Sequence, residues 1–258
     1  MVKIIISGIC GKMGSRILAL AQQDKEIEIV AGLEAKNHQM IGKKIQPSNI
    51  IVESELEKVI DKSDVLIEFT NPQATIEHIK ILETFKKACV IGTTGLSEEQ
   101  VSQIKNASKK IPIVFSPNMS IGVNLLFKLA SEVAKILQNY DVEIVELHHN
   151  KKKDAPSGTA LKLAEKIKIA RQKKLKEVFS RAGETGPRKP DEIGIFAVRA
   201  GDIVGEHTVI FAGTGERLEL IHKAHSRDTF ASGALTAAKW IVNRQPGLYD
   251  MTDVLGLK

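Results

Sequence analysis

His148 and His149 are followed closely by Lys151, Lys152 and Lys153, and then by a turn of small residues, Pro156-Ser157-Gly158-Thr159-Ala160. Imidazole and ammonium groups are side chains that deliver protons near neutral pH once their surroundings shift them. The run before them, Val142-Glu143-Ile144-Val145-Glu146-Leu147, alternates and reads as a strand. Neighbours on a strand point to opposite faces, so His148 and His149 cannot share one role by geometry alone. After the turn, Ala160, Leu161, Ala164 and Ile167 recur on one side of a helical pattern, which makes Gly158 and Thr159 the opening of a helix. The N–H groups there have no acceptor within the helix, the helix end is positive, and glycine adds no bulk, so the turn is suited to an anion. Cations beside an anion site point to proton transfer to a bound organic acid. The plain alternative is a solvated lysine face and a surface histidine. Against it stands the concentration of Pro, Ser, Gly and Thr on one turn directly after the cations.

A second constellation lies near the N-terminus. Lys3 to Ser7 reads as a buried strand, and Gly8-Ile9-Cys10-Gly11-Lys12-Met13-Gly14 follows it. A helix then places Met13, Ile17, Leu18 and Ala21 on one face, and a strand from Ile27 to Leu33 ends at Glu34. Strand, glycine turn, helix, strand and acid in this order make a dinucleotide site, with the acid accepting from ribose hydroxyls. The spacing is G-x-x-G-x-x-G, a departure from G-x-G-x-x-G. Further strands are expected at Ile50–Val52, Val65–Thr70, Ala88–Ile91 and Pro112–Phe115, with helices over 73–86 and 97–110. Such alternation predicts a parallel sheet with ligands at the strand C-termini. Gly92, Thr93 and Thr94, and Ser116, Pro117, Asn118 and Met119, sit at two of those ends.

The pattern changes after residue 119. A long helix runs from Ile121 to Gln138, and an irregular basic loop covers 179–192. Runs at Ile193–Arg199, His207–Ala212 and Arg217–Ala224 with short connections predict an antiparallel meander. A helix from Thr229 to Asn243 closes the chain. The expected fold is α/β: a Rossmann-like parallel-sheet cofactor domain over 1–118 and 228–258, and an α+β substrate and oligomerisation domain over 119–227 with a mixed, largely antiparallel sheet.

The stretch Glu146 to Ala160 closely resembles the signature of the dihydrodipicolinate reductase family, E-[LI]-x-H-x-x-x-K-x-D-x-P-S-G-T-A. Glu146, His148, Lys152, Asp154, Pro156, Ser157, Gly158, Thr159 and Ala160 fit it. The glycine loop resembles the family's G-x-x-G-x-M-G, and Ala200–His207 and Gly215–Glu219 resemble further family segments. The resemblance implies NADH- or NADPH-dependent reduction of the cyclic dicarboxylate of the diaminopimelate–lysine route. It implies His148 as general acid/base, Lys152 as cationic partner and proton donor, and His149, Gly158 and Thr159 as substrate ligands. Gly8, Ile9, Cys10, Gly11, Lys12, Met13 and Glu34 would hold the adenosine and phosphate half of the cofactor. Gly92–Thr94 and Ser116–Met119 would line its nicotinamide half. A homotetramer and closure of the two domains before reaction are implied as well. Glu34 repels a 2′-phosphate, whereas Lys12 and Lys36 attract one, and Ala35 stands where some members carry an arginine.

Composition sets the outer bounds. The chain has 258 residues, 43% hydrophobic and 26% charged, which is the make-up of a globular protein. Its net charge of +6 is concentrated in 151–189, which hold 13 Lys and Arg against 4 Asp and Glu. Aromatic residues make up only 4% and no nucleic-acid motif is present, so a field that attracts a small polyanion accounts for the charge better than base stacking. No apolar run approaches the ~18 residues of a membrane span, and the N-terminus lacks signal-peptide features. Cys10 and Cys89 form no C-x-x-C pattern and are expected reduced, in the cytoplasm. No third soft ligand lies at a zinc-site spacing from the adjacent histidines, so no metal is expected. The competing readings are a different two-domain NAD(P)-dependent dehydrogenase, a non-catalytic dinucleotide-binding redox sensor, and a basic nucleic-acid-binding module.

Overall fold

The structure is a computed structural model and describes residues 1–257. The chain forms two compact units, Met1–Ile121 with Arg227–Lys258, and Gly122–Ser226. The first unit contains, in order, β1 (Val2–Ser7), α1 (Gly14–Ala21), β2 (Ile27–Leu33), β3 (Lys44–Ile45), β4 (Ile50–Glu53), β5 (Val65–Glu68), α2 (Pro72–Phe85), β6 (Ala88–Ile91), α3 (Glu98–Ala107) and β7 (Pro112–Phe115). The second contains α4 (Ile121–Ile136, whose first residue belongs to the first unit), β8 (Asp141–His148), α5 (Gly158–Arg171), β9 (Lys176–Val178), β10 (Glu192–Arg199), β11 (Gly205–Gly213) and β12 (Glu216–Ala224). The chain then re-enters the first unit as α6 (Asp228–Ile241), β13 (Gly247–Tyr249) and α7 (Met251–Val254).

Strand order in the first unit is β13-β7-β6-β5-β1-β2-β4-β3, parallel except for the short β3–β4 pair. Ile4, Ile5 and Ile6 of β1 are all fully buried, as expected of a central parallel strand covered on both faces. Alternation sends them to different cores. Ile4 and Ile6 join Ile17 and Leu18 of α1 and Ala234 and Ala238 of α6. Ile5 joins Leu66, Cys89, Ile79 of α2 and Ile104 of α3. From β1 the chain moves first to β2 on one side and later to β5 on the other, so the strand order reverses beside β1. Ligands of open α/β sheets bind at that switch point.

The first division between units falls after Ile121, not after residue 118. Met119 is buried in the first unit's core, and a Cβ on Gly233 of α6 would meet its carbonyl oxygen at 1.8 Å. Ser120 Oγ lies 3.0 Å from Thr229 Oγ1. The second division falls after Ser226, because Arg227 accepts the first N–H bonds of α6.

The second unit's sheet has the order β12-β11-β8-β10-β9. Leu126 and Ala130 of α4 and Leu163 and Ile167 of α5 pack with Val142, Ile144, Ile193, Ile195, Val209 and Phe211 of the sheet. The three-stranded meander predicted from short connections is corrected here. β8 lies between β10 and β11, parallel to the first and antiparallel to the second. Short loops suggested neighbours, yet five extended residues reach roughly 16 Å, more than the ~10 Å of two strand spacings. Residues 200–204 therefore cross over the end of β8. Ala200 N donates to His148 O (2.9 Å), and Asn150 N donates to Gly201 O (3.1 Å). Among the described residues, no helix is long and apolar enough to cross a membrane.

Candidate active site

β8 carries Val142, Ile144, Glu146 and His148 on one face, and Glu146 is completely buried. A carboxylate at the buried phase of a strand must be paired and hydrogen-bonded. Glu146 Oε1 accepts from Arg199 Nη2 (2.7 Å) and from the backbone N–H of Ser157 (2.9 Å). Its Oε2 accepts from Arg199 Nη1 (2.9 Å) and faces His148 Nδ1 at 2.5 Å. Burial alone would raise this carboxyl, but the bonds from Arg199, His148 and Ser157 outweigh it and hold it below the ordinary glutamate value. A carboxylate at Nδ1 fixes the imidazole's orientation and leaves Nε2 as the working nitrogen. Nε2 lies against Gly205, where an added Cβ would sit 3.0 Å from it. The crossover of residues 200–204 thus brings both Arg199 and Gly205 to the exit of β8.

Burial lowers the His148 pKa, the Glu146 bond and charge oppose this, and the charges of Lys152 and Arg199 reinforce it; the net shift is downward. His207 stands edge-on to His148, ring centres 5.3 Å apart. It is pushed down to about 3, chiefly by burial and then by His148, so it is a neutral wall at working pH. Its Nε2 lies 3.2 Å from Ser157 Oγ.

Ser157 caps α5 by accepting from Ala160 N through Oγ (3.3 Å). The N–H groups of Gly158 and Thr159 open the same helix at its positive end. Lys152 turns back beside the strand through its N–H bond to His149 O (3.1 Å), and its ammonium pairs with the exposed Asp154 at 2.9 Å. His148, Lys152, Gly158 and Thr159 thus belong to one segment, folded around Glu146. His149 is the first residue after β8 and leads into the turn at Asn150 and Lys151. Glu146 as an anchor, Arg199, Ser157 and His207 were not among the sequence-predicted site residues. One signal was available for Glu146, an acid at the buried phase of an apolar alternation.

The first unit supplies a dinucleotide cradle. Gly8 has φ +72°, and a Cβ on it would meet Phe69 O at 2.7 Å. A Cβ on Gly14 would meet Gly8 O at 2.0 Å and Ile9 Cα at 2.6 Å, so only glycine lets α1 start this close to the loop. No side chain caps that start, where Met13 stands, which leaves it suited to a pyrophosphate. Cys10 N donates to Glu34 Oε1 at 2.7 Å and aims the acid at the loop. These residues fit a nicotinamide dinucleotide. Ile9, however, is 1% exposed and packs against Gly32, and Met119 is 1% exposed in the core, so each can offer a cofactor only backbone. Lys12 and Lys36 are exposed. Gly92–Thr94 and Ser116–Asn118 leave the C-terminal ends of β6 and β7, with Ser116 Oγ donating to Asn118 O at 2.8 Å. Cys10, Glu34 and His38 bring one ligand-type atom each within 4.8 Å of one another. This cluster includes Glu34, the acid that follows β2.

A doubly wound sheet with a glycine cradle, and a separate unit with a carboxylate-held imidazole on the segment that leads into a helix N-terminus, define the class: a nicotinamide-dinucleotide-dependent oxidoreductase. The family profile "Dihydrodipicolinate reductase, N-terminus" matches residues 2–119, and "Dihydrodipicolinate reductase, C-terminus" matches 122–255. The chain is 51% identical to 4-hydroxy-tetrahydrodipicolinate reductase of Aquifex aeolicus, covering 99% of both chains. It is 52% identical to that of Desulfotalea psychrophila, covering 100% of this chain and 99% of the relative. The solved structure of dipicolinate-bound dihydrodipicolinate reductase from Paenisporosarcina sp. TG-14 superposes with a TM-score of 0.82 at 29% identity over 98% of each chain. This chain belongs to the dihydrodipicolinate reductase family.

Proposed function

We infer that this protein catalyses the NADH- or NADPH-dependent reduction of 4-hydroxy-tetrahydrodipicolinate to tetrahydrodipicolinate, in the diaminopimelate route of lysine biosynthesis. The observation that carries the reading is the Glu146-held imidazole of His148 on the segment that leads into the positive N-terminal end of α5. Bound reduced nicotinamide supplies the hydride. This chain supplies the proton and the grip on the carboxylates. Gly158 N–H and Thr159 hold one carboxylate at the helix end, and His149 is a further substrate ligand. The charge of the bound dicarboxylate offsets the burial that keeps His148 neutral, so substrate binding raises the imidazole's pKa and favours protonation at Nε2. The 4-hydroxyl leaves with a proton from the neighbouring ring carbon as water, hydride then adds to the carbon that carried the hydroxyl, and His148 and Lys152 deliver a proton to the neighbouring carbon.

Thr159→Val keeps the side chain's shape and removes its hydroxyl. It is expected to weaken pyridine-2,6-dicarboxylate, a planar analogue of the substrate ring, by about tenfold in competitive inhibition, the scale of one hydrogen bond to a charged group. Unchanged inhibition would reduce the turn to a helix cap.

Glu34 disfavours a 2′-phosphate, and Lys12 and Lys36 at exposed positions return only about fivefold in affinity. Both cofactors are therefore expected to work, with NADH equal to or modestly better than NADPH. Kd values for both, in wild type and in Lys12→Ala and Lys36→Ala, decide the matter; a hundredfold preference for NADPH would contradict it. The expected assembly is a homotetramer. Val198, Leu218 and Ile221, exposed on the second unit's strands, are the apolar surface such an assembly would cover.

A further inference from the structure

The first unit holds a second buried carboxylate, which the reaction does not use. Glu68, the last residue of β5, is completely buried. Its Oε2 accepts from His78 Nδ1 on α2 at 2.7 Å, and its Oε1 accepts from the hydroxyl of Thr70. Thr70 N donates to Thr93 Oγ1 at 3.2 Å, and Thr75 Oγ1 lies 2.9 Å from the same oxygen. The Thr93 hydroxyl is therefore turned inward, onto the end of β5 and the first turn of α2. Thr93 can therefore offer a ligand only its backbone, whereas Thr94 beside it is exposed.

Phe69 and Thr70 support more than that turn. A Cβ on Gly92 would meet the Phe69 ring at 2.2 Å. A Cβ on Gly8 would meet Phe69 O at 2.7 Å and Thr70 Cγ2 at 3.2 Å. The glycine loop and the Gly92–Thr94 turn both rest on residues 69 and 70, and Thr70 is fastened to Glu68.

We propose that Glu68 and His78 are positioning residues of the cofactor site: a buried carboxylate–imidazole pair that sets the glycine loop and the Gly92–Thr94 turn through Thr70 and Thr93. The proposal rests on the reading of those two segments as cofactor loops. The charged groups acting on His78 agree with it. Burial opposes the imidazolium, but the Glu68 bond and charge, with Glu77 and Glu57, outweigh it and raise the His78 pKa. Cys89 on the neighbouring β6 is raised well above its ordinary value by burial and by Glu68, so it remains a neutral thiol. The imidazolium's contribution is complete below the ordinary histidine value and is lost as pH rises through the raised one.

The test compares wild type, His78→Leu, His78→Gln and Thr93→Val in the full chain. The readouts are equilibrium Kd for NADH from its fluorescence, KM for each substrate, kcat and the unfolding midpoint. His78→Leu is expected to weaken NADH about tenfold in Kd, the scale of a lost charge-assisted bond, with KM for the dicarboxylate within about twofold. His78→Gln keeps a neutral N–H donor and should recover most of that loss. In wild type, but not in His78→Gln, NADH affinity should fall as pH rises through the raised His78 value. A lowered unfolding midpoint with unchanged NADH Kd in both His78 variants would make the pair purely structural and overturn the proposal. If His78→Leu does not fold, an NADH Kd in His78→Gln with wild-type magnitude and pH dependence overturns it equally. Thr93→Val separates the two levels. Unchanged NADH Kd there would deny that the turn is a cofactor loop. Weakened NADH there, with unaffected His78 variants, would overturn the positioning role alone.

Discussion

His148→Ala and Lys152→Ala should each lower kcat by ~10² or more, the scale of a lost positioned acid, while the protein stays folded. The structure explains why folding should survive. Without the imidazole, Glu146 still has both Arg199 nitrogens and the Ser157 N–H. Lys152 gives up only its pair with the exposed Asp154. NADH binding should be unchanged in both variants, because His148 and Lys152 belong to the second unit and the glycine cradle to the first. Steady-state rates with a fluorescence titration of NADH check this. Near-normal turnover in either variant would remove its assigned role, and lost NADH binding would point to a folding defect instead.

Arg199→Ala should be the most destabilising change at the site. It leaves a fully buried carboxylate without its charged partner, and breaking a buried pair costs about 3–5 kcal/mol. Arg199 keeps 18% of its side chain exposed, and water can enter its place, so a loss of about 2–3 kcal/mol is expected after that discount. The effect has a pH signature. The Glu146 pKa is depressed in the folded state, so its contribution is present above the ordinary glutamate value and is lost as pH falls through the depressed one. The gap between wild type and Arg199→Ala in urea unfolding should therefore narrow in acid. A gap under about 0.5 kcal/mol at neutral pH, or one that widens in acid, would contradict the account. Activity should fall as well, because His148 Nδ1 would face a carboxylate that is no longer fixed.

The sequence made the outline of this arrangement legible where residue type and local period coincide. The buried run of β1, the glycines after it and Glu34 at the end of β2 follow from nearest-neighbour chemistry. Ser157-Gly158-Thr159 could be read as a helix start because capping is local. Partnership across strands was hidden. Arg199 lies 53 positions from Glu146 and reaches it only because β10 pairs with β8. Short connections suggested that β10 pairs with β11 instead. The inward turn of Ile9, Thr93 and Met119 was equally invisible, because segments at strand ends carry no period that separates a ligand-facing side chain from a core-facing one. β9 and β13 are three residues each, too short for alternation to register.

The most direct test is the consumption of NADH by the purified protein, followed by nicotinamide absorbance, with the dicarboxylate substrate generated in place by dihydrodipicolinate synthase. The predicted result is rapid NADH loss that requires both proteins, is inhibited competitively by pyridine-2,6-dicarboxylate, and falls by ~10² in Lys152→Ala. NADH loss no faster than with the synthase alone, from a folded protein that binds NADH, would contradict it.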